Sequence, residues 1–290
     1  MDAYTSEMAT ATIRSRWEVS RHATANEVTP MNTLLDTYAW EARVKPALIV
    51  LLPVAFACIA WEPRSQDFAE PLIGAAVGAG ILLLLANIAR SAGQRLQGRL
   101  VKDWGGLPST LMLRHRDGQI DPLTKARYHQ ALKELVPNAT IPSATDEAAG
   151  PDAADQVYEA CRSALLAKTR DQKAFRLVFQ ENMNYGFRRN LVGLRGLGML
   201  LAGGGVAGCV WKIIRDVGAG HAVTLLSVLG LLGCVALLWA WVTVLNTSWV
   251  RRSANDYARR LLEAIDLLAM KPAASNAEEH RGTPRRESAS

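Results

Sequence analysis

The residues best suited to chemistry in this chain are concentrated in one short segment, Leu113–Arg114–His115–Arg116–Asp117. Its letters match the start of a protein-kinase catalytic loop, in which the Asp is the base and an Asn five residues later holds a metal ion. Pro122 stands where that Asn would be, and the chain has neither a glycine-rich phosphate loop nor Asp-Phe-Gly. We therefore attribute the match to chance and expect no kinase activity.

The same segment is a candidate contact for an anionic ligand. Arg114, His115 and Arg116 lie near further basic residues in the sequence, and arginine donates paired hydrogen bonds to phosphates and carboxylates. The alternative, which we favour, is a solvated basic face close to anionic lipid headgroups.

A metal centre is the other chemistry that these residue types could support. His115, Asp117, Asp121 and His129 match no known ligand spacing, and Asp121 before a proline is typical of a helix N-cap. We therefore expect no metal and no cofactor.

The four cysteines form no Cys-x-x-Cys pair, and we expect them to be reduced and buried. Gly-x-Ser-x-Gly and His-Glu-x-x-His are both absent from the sequence. We therefore expect no catalytic residues and no enzymatic activity.

Four apolar segments dominate the remainder of the chain. They predict an all-α membrane protein with four transmembrane helices, at about residues 44–61, 71–88, 194–214 and 222–245. No segment has an acid or a base near its middle, which argues against proton-coupled transport and redox relays.

Basic residues flank these segments unevenly. The connections between segments one and two and between segments three and four have few cations, whereas the opposite ends have many. The positive-inside rule then places both termini and the region between segments two and three in the cytoplasm. The same residues account for the formal net charge of +6, so we expect no specific DNA binding.

We expect the region between the second and third segments to be a mainly helical cytosolic domain. The predicted organisation is an N-terminal cytosolic segment that is partly disordered (1–43), transmembrane helices one and two (44–90), a cytosolic stalk and helical domain (91–192), transmembrane helices three and four (193–249), a cytosolic amphipathic helix (250–270) and a disordered tail (271–290). The amphipathic helix should pack on the inserted domain or on a partner chain.

A dense cluster of special residues precedes the third apolar segment. Its members are Tyr185, Gly186, Phe187, Arg188 and Arg189. We interpret it as an elbow at the membrane interface, with a bend at Gly186, aromatic anchors and arginines that reach lipid phosphates. The elbow either only anchors the chain or also transmits a cytosolic signal to the membrane helices.

Two pairs of glycines have the spacing that lets membrane helices approach closely. They are Gly74 with Gly78 and Gly204 with Gly208. They serve packing within one chain or, in the sharper hypothesis, an interface between subunits of a homo-oligomer. Asn87 and Ser227 are the candidate pore-facing polar residues, and such a weakly polar pore would gate by wetting.

Three segments carry a resemblance to known proteins: Asp103–Trp104–Gly105–Gly106–Leu107–Pro108–Ser109–Thr110, Leu113–Arg114–His115–Arg116–Asp117, and Asn184–Tyr185–Gly186–Phe187–Arg188–Arg189–Asn190. They resemble a family of uncharacterised bacterial four-span membrane proteins. The overall plan also resembles the membrane effectors of nucleotide-signalling anti-phage defence systems, in which a cytosolic domain senses a signal and the spans open or disrupt the inner membrane. This likeness is one of architecture, so it assigns no functional residue.

The resemblance implies an oligomeric inner-membrane channel or membrane-disrupting effector, gated through its cytosolic domain by a nucleotide-type ligand or a cytosolic partner protein. The alternative is a non-conducting membrane anchor or sensor that recruits a cytosolic partner. A membrane-bound enzyme is the weakest hypothesis, because the catalytic motifs are missing.

Overall fold

The computed structural model describes residues 37–61, 69–137 and 139–281. Within these residues the secondary structure is helical throughout, without strands. Four helices are long and apolar enough to cross a membrane: Thr37–Trp61, Val77–Leu111, Arg195–Gly218 and Leu225–Thr243. These findings confirm the all-helical fold and fit a multi-pass membrane protein.

The helices follow one another with short connections. After the turns Thr37–Ala39 and Trp40–Val44, the second of them π-helical, the order is α1 (Lys45–Trp61), α2 (Ala69–Trp104), α3 (Pro108–Leu111), α4 (Pro122–Leu135), α5 (Ala144–Ala149), α6 (Pro151–Lys168), α7 (Arg176–Gly193), α8 (Arg195–Gly218), α9 (Leu225–Thr243) and α10 (Thr247–Arg281). Of the predicted disordered regions, residues 1–36 and 282–290 lie outside the described part of the chain.

Helices α1, α8 and α9 form a tight bundle in which glycines allow close approach. A Cβ atom on Gly205 would lie 2.8 Å from the sulfur of Cys234 on α9, and one on Gly230 would lie 2.7 Å from the Cβ of Ala60 on α1. The indole of Trp241 is fully buried against Gly198. Small residues at such crossings allow one helix to approach the backbone of the next, as is common in membrane helix packing.

Helix α2 belongs to this bundle along only part of its length. Near the beginnings of α1 and α8, which we call the joint end of the bundle, Leu85 and Ala86 pack with Ala47 of α1 and Leu197 of α8. Towards the far end, where α1 ends, the described side chains of α2 from Gly74 to Ile81 are all exposed. Beyond the joint end, α2 continues to Trp104 as the predicted stalk, and Gly105 ends it with a φ of 75°.

The region between α2 and α8 has a core of its own, to which α10 contributes. Met112, Leu132, Tyr158 and Leu165 are almost completely buried there, together with Leu261, Leu262 and Ile265 of α10. The amphipathic helix that follows the fourth apolar segment therefore packs on the inserted helices, which is one of the two arrangements that its pattern predicted. Asp121 caps α4 through the N–H of Thr124, as its position before Pro122 indicated.

Two predicted boundaries were wrong. Helix α7 passes without interruption through Gly186, where we expected a bend, and ends at Gly193. Helix α8 continues to Gly218, past the end that we predicted for the third apolar segment at about residue 214, so Asp216 is a helical residue. Lys212 donates a hydrogen bond of 2.7 Å to Asp216 and one of 2.9 Å to Ser227 on α9. The charged pair is buried and internally satisfied, which is why the helix can include it.

Candidate functional site

The inserted helices meet the candidate membrane helices at a joint centred on the contact between α2 and α7. A Cβ atom placed on Gly193 would lie 2.7 Å from the backbone nitrogen of Gly93, and one on Gly93 would collide with Asn190. Contact at this distance is possible only for glycine at both positions. The two helices therefore touch backbone to backbone.

Asn190 ties this contact to the start of α1. Its side chain is 1 % exposed, and its Nδ2 atom donates a hydrogen bond of 2.6 Å to the carbonyl of Ala42. In a regular α-helix that carbonyl would accept from residue 46, but Pro46 has no N–H. The amide of Asn190 thus donates to a carbonyl whose ordinary α-helical donor is absent.

Arg189 extends the joint along the stalk. Its guanidinium donates to the side-chain oxygen of Gln97 on α2 and, at 3.3 Å, to Asn190. It also lies over the ring of Tyr185. Because Arg189 is held by Gln97 of α2 and by side chains of its own helix, it is occupied within the chain, whereas we had expected it to reach lipid phosphates.

The other residues of the predicted elbow connect α7 to α10. The rings of Tyr185 and Tyr257 stack with centroids 6.3 Å apart, and Phe187 contacts Trp249 edge to face. The guanidinium of Arg188 lies over the same indole, 4.9 Å from its centre. Four of the five residues therefore bind other helices at the joint, and Gly186 is buried within α7.

The joint also reaches α9. At Leu194, α7 ends and α8 begins, and the adjacent Arg195 donates to the carbonyls of Trp241 and Val242 at 3.0 and 2.9 Å. A cation on carbonyls near a helix C-terminus is a favourable arrangement. Helix α7 of the insert is thus bonded to the turn before α1, packed on α2 and followed by α8, which holds α9.

The candidate anion contacts are satisfied largely within the insert. Arg114 donates through Nε to Asp155 at 2.7 Å and through Nη2 to the carbonyl of Gly105 at 2.9 Å. Arg116 lies 3.7 Å from Glu147, but 45 % of its side chain is exposed. His115 donates from Nε2 to the carbonyl of Pro142, 3.0 Å away. Of the three side chains, Arg116 has the most capacity for an external anion.

Glu147 is the buried carboxylate that organises this segment. Burial alone would raise its pKa, but the N–H groups of His115 and Arg116 and the hydroxyl of Tyr158 donate to it, and the net effect is a lowered pKa. Beside it, His129 stacks on Tyr158 and bonds the carbonyl of Leu113 at 2.8 Å. Burial lowers the pKa of His129, so it is held in the neutral form.

A cavity of about 360 Å³ opens next to these residues. Its lining includes His115, Arg116, Asp117 and Lys125, a mixture of cationic and acidic groups. The ammonium of Lys125 is already bonded to the carbonyls of Arg114 and Asp117, so it is not free to hold a ligand. The sequence pattern had grouped these basic side chains but could not reveal the carboxylates that face them.

The two predicted glycine pairs face open space within the part of the chain that the structure describes. Around Gly74, Gly78, Gly204 and Gly208, an added Cβ atom would meet no atom within 4 Å. In α8 and α9 the glycines that pack against other helices are Gly198, Gly205, Gly230 and Gly233, none of which the spacing rule had singled out. Packing among the described residues therefore does not explain the predicted pairs.

The candidate pore-facing residues have contrasting surroundings. Asn87 is exposed on α2, and its Nδ2 donates to the carbonyl of Leu83 in the same helix. Ser227 is 1 % exposed and bonded to Lys212, so it faces the bundle interior rather than any open surface. The expectation that Ser227 faces a pore is wrong in this arrangement.

Cys58 corrects the expectation that all cysteines are buried, because it is exposed on α1. Cys161, Cys209 and Cys234 are buried, and burial raises the pKa of the Cys161 thiol. Among the residues that the structure describes, no group of three His, Cys, Asp or Glu side chains is placed to hold a metal ion.

Comparison of the chain with models of protein families, with curated proteins and with solved structures gives no match. Function must therefore be argued from the geometry of the chain itself.

Proposed function

We propose that the chain is a subunit of a homo-oligomeric channel or membrane-disrupting effector of a bacterial inner membrane. The inserted helical region would lie in the cytoplasm with both termini and act on the membrane helices through the joint. The observation that carries the proposal is the far half of α2, which leaves its own bundle with Gly74 and Gly78 open. In a membrane, a helix face of small residues gains stability from another helix.

The arrangement of the pore follows from the packing of the bundle. Helices α1, α8 and α9 contact one another through glycines and buried side chains such as Trp241, which leaves no room for a conduit among them. A pore would therefore form between subunits, where the exposed far half of α2 and Asn87 are available. The lining would be mainly apolar and would gate by wetting.

Gating would start in the insert. A nucleotide-type ligand or a cytosolic partner protein would bind there, with Arg116 beside the 360 Å³ cavity as the most accessible cation. Movement of α7 would then reach α1 through Asn190 and α2 through Gly93. In this proposal the protein serves anti-phage defence, and the likeness in plan to known defence effectors supports that role.

The second candidate is a non-conducting anchor or sensor that recruits a cytosolic partner. It is favoured by the buried, internally paired Lys212 and Asp216, which leave the bundle without an unpaired charge of the kind that transport requires. In this function the joint fixes the insert to the membrane and does not move the helices.

The deciding experiment is to measure membrane potential and growth of bacteria that express the chain from an inducible promoter. A Gly204→Leu, Gly208→Leu variant should abolish depolarisation at equal membrane abundance, because both changes fill an open face and spare the packing glycines. Gly203→Leu is the matched control, since Gly203 also has open space around it but lies on a different side of α8.

Depolarisation of cells that express the Gly203→Leu control, without depolarisation of cells that express the double variant, supports a channel assembled from several subunits. A sealed membrane in every strain, including one that also expresses the neighbouring genes, refutes the channel and leaves the anchor. Replacing the four membrane helices by unrelated ones would then preserve function.

A further inference from the structure

A groove of about 400 Å³ runs along the bundle between α1 and α8. Its lining is apolar: Val54, Ala57, Cys58 and Trp61 come from α1, and Leu200, Leu201, Gly204 and Gly205 come from α8. No described side chain of α2 lines it. Gly204, one of the four open glycines, lies in its wall.

The groove continues an interface that the chain already contains. At the joint end, α2 packs on the seam between α1 and α8 through Leu82, Leu85 and Ala86, which meet Ala47 and Leu197. Towards the far end of the bundle, the seam between α1 and α8 continues as the groove, and the described side chains of α2 no longer pack on it. The surface on which α2 packs near the joint thus extends beyond α2 towards the far end.

The face of α2 that packs on this seam also extends past the point of departure. Counting back from Leu85 and Leu82 at helical spacing leads to Gly78 and then to Gly74 on the same side of the helix. Gly78 lies seven residues before Leu85, and Gly204 lies seven residues after Leu197. Both glycines are therefore about 10 Å along their helices from the layer in which Leu85 and Leu197 pack. Gly74 and Cys58 lie at an equal depth too, each about 16 Å from the packed layer.

The chain's own α2 is poorly placed to fill the groove. Helix α2 is unbroken from Ala69 to Trp104, and the run Ile81 to Leu85, where it leaves the seam, contains neither proline nor glycine. Sharp kinks in helices arise at such residues, so α2 keeps its direction there. That direction is set by the contact between Gly93 and Gly193 at the joint.

We propose that the groove between α1 and α8 binds the far half of α2 from a second copy of this chain, with Gly74 and Gly78 facing Cys58 and Gly204. Copies of the chain in one membrane lie in the same plane. Residues at equal distances from the packed layer in one subunit therefore also lie at the same depth as each other between subunits. The contact joins two different surfaces, α2 of one subunit and the groove of the next. Such an interface builds either an exchanged dimer or a closed ring.

This inference rests on the proposed oligomer and names its interface. It can be tested with Cys58, because it is the one exposed cysteine of the four. In Gly74→Cys, mild oxidation in native membranes should link the new thiol to Cys58 of a neighbouring subunit, giving a dimer band or a ladder in non-reducing gels. Gly80→Cys is the control, since that open glycine lies two residues beyond Gly78 and faces the other side of α2.

Each outcome decides the inference. Intermolecular crosslinks that appear in Gly74→Cys, and disappear when Cys58→Ser is added, support it. Crosslinks that persist after Cys58→Ser would show that α2 of one subunit contacts α2 of another. A disulfide within one chain would show that α2 fills the groove of its own subunit. Either result overturns the proposed interface. Absence of any disulfide while native mass spectrometry shows an oligomer also overturns it.

The interface and the function can fail separately. A Cys58-dependent crosslink with a sealed membrane would keep the interface and refute the channel. Depolarisation without this crosslink would keep the channel and place its subunit contact elsewhere.

Discussion

The backbone nitrogen of Gly93 on α2 would lie 2.7 Å from a Cβ atom on Gly193 of α7, so neither helix can carry a side chain at their crossing. The crossing is also where Asn190 and Arg189 concentrate their hydrogen bonds. A close approach of this kind fixes the relative position of two helices. It makes the joint the place where small substitutions should have the largest effects.

Gly193→Ala should separate α7 from α2. The added methyl group has no space, and overpacking of this kind costs about 1–3 kcal/mol. Gly98→Ala on the same stalk is the control, because Gly98 has open space around it and alanine favours a helix. Thermal unfolding of the purified protein in detergent, followed by circular dichroism, measures both. Equal melting temperatures for the two variants would contradict the close contact.

Asn190→Leu should destabilise the joint by leaving the carbonyl of Ala42 without its donor. The cost of one unsatisfied buried group is about 1–3 kcal/mol. Asn190→Asp should be at least as harmful, because it removes the donor and adds a buried charge. Hydrogen exchange should show faster exchange at the start of α1 in both variants. Unchanged exchange there would mean that Asn190 does not hold α1.

Stability of the insert should fall as the pH is lowered through the range of histidine. Burial first, and then the nearby His115 and Lys125, lower the pKa of His129 below its ordinary 6.5, although Glu147 and the carbonyl of Leu113 oppose this. The folded state then binds fewer protons than the unfolded state, so stability is complete above about pH 6.5 and is lost as the pH falls towards the folded pKa.

Melting temperatures between pH 7.5 and 5.5 test this dependence. The wild-type value should decrease with falling pH, and His129→Gln should flatten the slope because its side chain does not titrate. A slope that His129→Gln leaves unchanged would assign the dependence to another group.

Glu147 and Tyr158 should be coupled energetically. The Tyr158 hydroxyl donates to the buried carboxylate at 2.8 Å, and hydrogen bonds to charged groups contribute about 1.5–3 kcal/mol. A double-mutant cycle with Glu147→Gln and Tyr158→Phe should therefore give a non-additive change in the free energy of unfolding. Additive changes would show that the hydrogen bond contributes nothing.

Lowering the pH further should weaken the hydrogen bonds that Glu147 accepts. Because the pKa of Glu147 is lowered in the folded protein, its contribution is present above about pH 4.3 and is lost as the pH falls through the folded pKa. Glu147→Gln should remove this part of the acid transition, which urea unfolding between pH 5 and pH 3 would reveal.

The sequence predicted the parts of the fold that depend on local pattern. Four long apolar segments, the cap at Asp121 and the apolar side of the helix around Leu261 and Leu262 each follow from periodicity or from one residue type. These features depend on residues that are close together in the sequence, which is why the sequence alone could predict them.

The joint was not predictable in the same way. Gly186 suggested a bend because glycine weakens helices, but burial against neighbouring helices keeps α7 intact through it. The donor role of Asn190 depends on a carbonyl 148 positions away. The carboxylates that pair with Arg114 and Arg116 come from other helices, and no spacing rule identifies them.

The way in which α10 completes the core of the insert sets an order of events during synthesis. The ribosome makes Val178, the last earlier member of that core, long before it makes Leu261, and all of α8 and α9 lies between them. At typical elongation rates this interval is about 4–17 s. The insert must therefore wait with an uncovered apolar face until the last two candidate membrane helices have been made.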